Sequence, residues 1–182
     1  VALVDACWDV EGCLKICRDH KLRVVQCLYT HWHFDHCGCA HLPDSMLQRL
    51  GLPPAAWSVA RVLPGARELV ASADFPKSGM AIVNEHEVEQ FVKQTTVERQ
   101  RVRAVKHDEV FSIGDLRVRS IWTPGHTKGS QCLLLESFKP MRLLTGDTVF
   151  IGSFGRIDGE DSSAAELWES LNIKLGQLPD EV

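Results

Sequence analysis

The chain has 182 residues, enough for one well-buried domain and too few for two of ordinary size. Hydrophobic residues make up 45% and charged residues 24%, which excludes the disordered and fibrous classes. A net charge of −4 excludes a general attraction to nucleic acid, and no apolar run approaches membrane-spanning length.

In chain order, Val1–Val4 reads as a strand and Asp9–His20 as a short helix with Leu14 and Cys17 toward the core. Val24–Tyr29 is an apolar, β-branched run and is predicted as a buried strand. Residues 41–76 contain five prolines and no clean period, so they are expected to form a partly helical insertion outside the sheets, burying Leu47, Leu50, Leu52 and Trp57. A strand over Met80–Val83 and an exposed helix over Asn84–Lys93, carrying His86 among Glu85, Glu87 and Glu89, come next. Arg101 and Arg103 alternate with Val102 and Ala104, as on the solvated face of a strand. Glu109–Ile113 and Leu116–Trp122 are alternating strands joined by Gly114-Asp115, a hairpin signal. Gln131–Glu136 and Met141–Thr145 make another pair. Ser163 with Glu166 forms a capping box for a helix that turns Leu167, Trp168 and Leu171 to one side. Strand pairs interleaved with helices predict a layered α/β domain.

Seven cysteines, at 7, 13, 17, 27, 37, 39 and 132, are an odd count in a chain that is not small. They argue for core packing and a reducing compartment rather than a disulfide scaffold. The localisation read from this is cytoplasmic, with the mitochondrion as the alternative. Because Val1 is not Met and already opens a strand, an upstream segment is expected.

The chemical signal is Thr30-His31-Trp32-His33-Phe34-Asp35-His36, placed directly after a buried strand. Alternation in extended backbone points His31 and His33 to one place, while the turn at Asp35-His36 aims at a neighbouring one. Imidazole nitrogens and carboxylate oxygens at this density suit zinc or its first-row neighbours. Two further strand ends present His126, within Thr123–Ser130, and Asp147, within Gly146-Asp147-Thr148. Two cations a few ångströms apart need a shared anion.

THxHxDH, then PGHTxGS, then GDT, in that order, resembles the metallo-β-lactamase superfamily. Gly146–Asp158 and the Leu-Pro-Asp-Glu-Val ending resemble its glyoxalase II-like (hydroxyacylglutathione hydrolase-like) branch. The resemblance spans nearly the whole chain except the insertion. It implies an αββα sandwich over residues 1–182, incomplete at both ends, holding two divalent metal ions. Zinc is the first choice, with iron or manganese as alternatives. His31, His33 and His126 would bind one metal, Asp35 and His36 the second, and Asp147 both. The implied activity is hydrolysis of a small-molecule thioester, such as an acylglutathione, by a metal-held hydroxide. Asp35 and Asp147 would be catalytic, and Arg156 and Trp32 would contact substrate. Neither a nucleic-acid nor a membrane partner is expected. Three features depart from the family pattern. Its final GH ligand would fall beyond Val182, His126 follows His36 by 90 positions, and Cys39 replaces the second glycine of a pair. The alternatives are a persulfide dioxygenase-like enzyme with one iron on His31, His126 and Asp147, and an inactive metal-binding module.

Overall fold

The computed structural model describes residues 1–7, 9–38, 42–52, 81–95, 97 and 99–182. The chain falls into two compact units, one of residues 1–83 and 88–103, the other of residues 84–87 and 104–182.

A four-stranded sheet in the order β1-β2-β3-β4 belongs almost entirely to the first unit: β1 is Ala2–Val4, β2 Gln26–Leu28, β3 Ala81–Asn84 and β4 Val102–Val105. β1 pairs parallel with β2, and β2 with β3. Every residue of β2 and β3 is buried, which is the physical reason their sequences read as continuous apolar runs rather than alternating ones. Between β1 and β2 runs α1, Val10–Asp19, opened by Asp9, whose carboxylate accepts the Gly12 N–H at 3.0 Å. Cys17 is buried and Leu14 half-buried, as the periodicity predicted.

After β2 the chain bends at Thr30, runs without regular structure to His33 and then makes a single helical turn, α2, Phe34–Cys37. The helix α3, Asp44–Arg49, follows. Its Leu47 is fully buried against Phe34, Leu42 and Leu52, so the start of the expected insertion is helical and packed on the turn that carries Asp35 and His36. Leu50 does not join it: at 59% exposed it corrects the expectation that all the leucines of this segment are covered. Residues 53–76, including Trp57, and Cys39 and His41 lie outside the described residues.

The helix after β3 is α4, Val88–Thr95, and it begins later than the sequence suggests. Residues 85–87 form a turn instead, so His86 is exposed on a turn rather than a helix, its ring 4.5 Å from that of Trp122. Glu87, expected on a solvated face, is buried. The arginine run begins as a 3-10 turn, Arg99–Arg101, and only Val102–Val105 is strand.

The second unit is built on an antiparallel meander of β5 Val110–Ile113, β6 Leu116–Trp122, β7 Gln131–Leu135 and β8 Arg142–Leu144. Gly114, at φ +59°, makes the expected hairpin turn. On one face Ile121, Cys132 and Leu134 pack with Leu143, Leu175, Leu178 and Val182. The helix α5, Ala164–Glu169, is capped by Ser163, whose hydroxyl accepts the Glu166 N–H at 3.3 Å. Leu167 is buried, but Trp168 is 59% exposed, since adjacent helical residues diverge by about 100°. Among the described residues no helix is long and apolar enough to cross a membrane.

Candidate metal centre

In the first unit the site is built at the end of β2. Thr30, at a bend, and His31 are buried, and His33 follows as the residue that opens the helical turn. His31 Nε2 and His33 Nδ1 lie 3.1 Å apart. Two nitrogens held tetrahedrally at about 2.0–2.1 Å from one Zn²⁺ stand about 3.3 Å apart, so this pair fits a shared cation. The ring of His36 lies 4.0 Å from that of His31, and its Nε2 is 3.9 Å from Asp35 Oδ2. Trp32, half-buried, sets its ring edge-on to His33 at 4.7 Å.

Asp5, which the sequence did not single out, organises these groups. Its carboxylate accepts the Thr30 N–H at 2.9 Å and the Thr30 hydroxyl at 2.6 Å. His36 Nδ1 is 3.0 Å from the same Oδ2. A carboxylate only accepts, so His36 carries its proton on Nδ1 and leaves the lone pair of Nε2 able to take a cation. Thr30 has one hydroxyl proton and gives it to Asp5. Its oxygen, 3.1 Å from His31 Nδ1, therefore accepts from that nitrogen and frees His31 Nε2. One carboxylate thus sets two histidine tautomers, the arrangement that raises ligand basicity in metal sites.

Cys7 and Cys37 are buried beneath this loop. Cys37 Sγ donates to the Trp32 carbonyl at 2.8 Å, and Cys7 Sγ donates to that of Phe34 at 3.1 Å. Burial, followed by the charge of Asp35, pushes the Cys7 thiol up to about 11. The six described cysteines are free, as expected for core packing.

In the second unit, Thr123–Ser130 presents His126, which is buried. Its Nδ1 donates to the Arg156 carbonyl at 2.7 Å, so the lone pair of Nε2 is able to take a cation, and it faces Asp147 Oδ2 at 3.4 Å. That separation also matches two ligands on one cation. Gly155 is required here, since a Cβ would strike the Asp147 carbonyl and come within 3.0 Å of the His126 ring. The Arg156 guanidinium pairs with Asp158 at 2.7 Å, and both side chains are exposed. Asp158 in turn holds the Arg156 guanidinium above its ordinary value. What Arg156 contributes to the site directly is its main-chain oxygen.

The family sequence model of the metallo-beta-lactamase superfamily matches residues 2–182, and the chain belongs to that superfamily and has its α/β sandwich fold. A hydroxyacylglutathione hydrolase-like protein of Gallus gallus is 35% identical over 89 residues, covering 45% of this chain and 31% of its own. Glyoxylase B2 of Dictyostelium discoideum is 28% identical over 178 residues, covering 96% of this chain and 52% of its own. The chain therefore spans about a third to a half of the length of these relatives. The crystal structure of ETHE1 from Myxococcus xanthus matches with a TM-score of 0.61 at 22% identity, over 99% of this chain and 61% of that one.

Proposed function

We propose that this chain is the catalytic domain of a metal-dependent hydrolase that cleaves small thioesters, in the manner of the glyoxalase II-like branch. The observation that carries the reading is the matched preparation of the ligand atoms. In each unit a pair stands at the spacing one cation requires, and a hydrogen bond to the far ring nitrogen aims His31, His36 and His126. The relatives named hydroxyacylglutathione hydrolase-like and glyoxylase support the thioester. In this reading His31, His33 and His126 would hold one metal, Asp35 and His36 would hold the other, and Asp147 would serve both. When bound, divalent cations supply an activated water at neutral pH and compensate charge that develops on the acyl oxygen.

The chain's own residues supply the rest. Asp35 orients the attacking water with its carboxylate, and Trp32 lines the acyl side. The leaving thiolate needs no protein acid, since a thiol pKa of about 8.5 makes it a good leaving group. Arg156 reaches an anionic substrate end only by exchanging Asp158 for it.

The test is hydrolysis of S-lactoylglutathione, with elemental analysis of the same preparation. Activity lost to a chelator and restored by Zn²⁺, with two metals per chain, is the expected result. Undiminished hydrolysis by metal-free protein overturns the proposal. One iron with O₂ uptake on a persulfide, and no hydrolysis, assigns the chain to the dioxygenase reading on His31, His126 and Asp147.

A further inference from the structure

Glu87 is 3% exposed, yet nothing in its sequence setting, a turn rich in acidic residues, marks it as a core residue. Its Oε1 accepts the hydroxyl proton of Thr127, the residue after His126. Thr127 Oγ1 is 2.8 Å from Ser130 Oγ, and Ser130 Oγ is 3.1 Å from the Thr127 N–H. The direction of each bond follows from counting protons. A carboxylate only accepts, so the one hydroxyl proton of Thr127 is committed to Glu87. Thr127 Oγ1 must then accept from Ser130, and Ser130 Oγ accepts the Thr127 N–H. The two hydroxyl protons then each have one place, and the network ties both ends of residues 127–130 together.

The loop is shaped around that carboxylate. A Cβ at Gly129 would run into the Glu87 side chain, approaching its Cβ to 2.9 Å, so only glycine admits Glu87 here. The remaining ties hold the other end: Thr123 N–H to the Ser130 carbonyl at 2.8 Å, and Ser170 Oγ to the Pro124 carbonyl at 2.8 Å. His126 sits between these two anchored ends.

We propose that Glu87 is a positioning residue for His126. By fixing the hydroxyl directions of Thr127 and Ser130 it sets the backbone from which the His126 ring reaches the Arg156 carbonyl and faces Asp147. The inference rests on reading His126 and Asp147 as metal ligands. Only an acceptor-only group enforces this order, because an amide offers N–H as well as C=O and leaves the Thr127 proton two settings.

The experiment measures Zn²⁺ affinity of the folded protein by competition with a chromogenic chelator. Glu87→Ala is expected to weaken zinc binding about 10–100-fold, as loss of a group supporting a ligand does, and Glu87→Gln to recover part of it. Thr127→Val should fall with Glu87→Ala, while Thr127→Ser stays near the parent. Val118→Ala, in the buried middle of β6, is the stability control: it should lower the melting temperature without changing zinc affinity. Should Glu87→Ala not fold, the Gln and Thr127 variants carry the comparison alone. Unchanged zinc affinity in Glu87→Gln and Thr127→Val, or a loss no larger than that of Val118→Ala, overturns the proposal. No zinc binding by the parent protein overturns the ligand assignment itself, which separates that failure from this one.

Discussion

His36 Nδ1 lies 3.0 Å from Asp5 Oδ2, across 31 positions of sequence. The same oxygen accepts the Thr30 hydroxyl, so Asp5 governs His36 directly and His31 through one intermediary. Asp5→Asn is the informative substitution. Asn tolerates the φ of +44° at this position, and an amide cannot accept at both atoms. Zinc affinity should fall about 10–100-fold, with saturating zinc recovering most of the activity. An Asn variant that titrates with zinc like the parent would show that the histidines are aimed by something else.

Asp147→Asn should keep the fold and lose most turnover. An amide is a neutral and much poorer ligand, and losing several kcal/mol of charge stabilisation corresponds to at least about 100-fold in rate. Circular dichroism and kcat, measured on one preparation, check the two halves of the statement. Near-normal turnover with two metals retained would count against a shared ligand.

Gly125 and Gly114 both adopt positive φ, at +139° and +59°, but differ in surroundings. A Cβ at Gly114 meets nothing within 4 Å, whereas one at Gly125 collides with the backbone and Cβ of Leu167. Gly114→Ala should cost only backbone strain, about 1 kcal/mol. Gly125→Ala adds a clash with a helix that cannot yield cheaply, and should cost at least about 3 kcal/mol. Urea midpoints of the two variants, at equal slope, provide the comparison.

Burial alone would raise the Glu136 carboxyl, but hydrogen bonds and charge from Arg119 and Arg117 outweigh it and hold Glu136 below its ordinary value. A carboxylate lowered in the folded state adds stability that is fully present above its unfolded pKa of about 4.3 and is lost as pH falls through the folded value. Acid unfolding of the parent should therefore steepen below about pH 4. Glu136→Gln should be less stable at neutral pH and should converge with the parent at the acid end. Parallel curves at every pH would remove Glu136 from the account.

The parts of the site that the sequence disclosed are those fixed over short range. The nearness of His31 and His33 was legible because the two stand two positions apart just after a buried strand, and the hairpin at Gly114 and the cap at Ser163 are equally local. Asp5 was not legible, because an aspartate after a three-residue strand carries no signal until the chain returns Thr30 and His36 to it. The Arg156 carbonyl was not legible as the partner of His126, since a carbonyl oxygen is present at every position and marks none. Glu87 was hidden by its company: one of three acidic residues in a run reads as solvated, and its partner Thr127 lies 40 positions on. Trp168 erred the other way, because a capping box locates a helix without orienting it.

The segment from Asp147 to Arg156 is tied to the site by main-chain atoms: Gly155 N–H donates to the Asp147 carbonyl at 2.9 Å, and the Arg156 carbonyl receives His126. Between these ends, Phe150 and Ser153 close a small turn that leaves Ile151 fully exposed and Phe154 about half exposed. Ligand geometry and surface chemistry are thereby uncoupled over these residues. Side chains at the tip, Ile151 among them, can therefore vary while the main-chain ties to Asp147 and His126 stay in place.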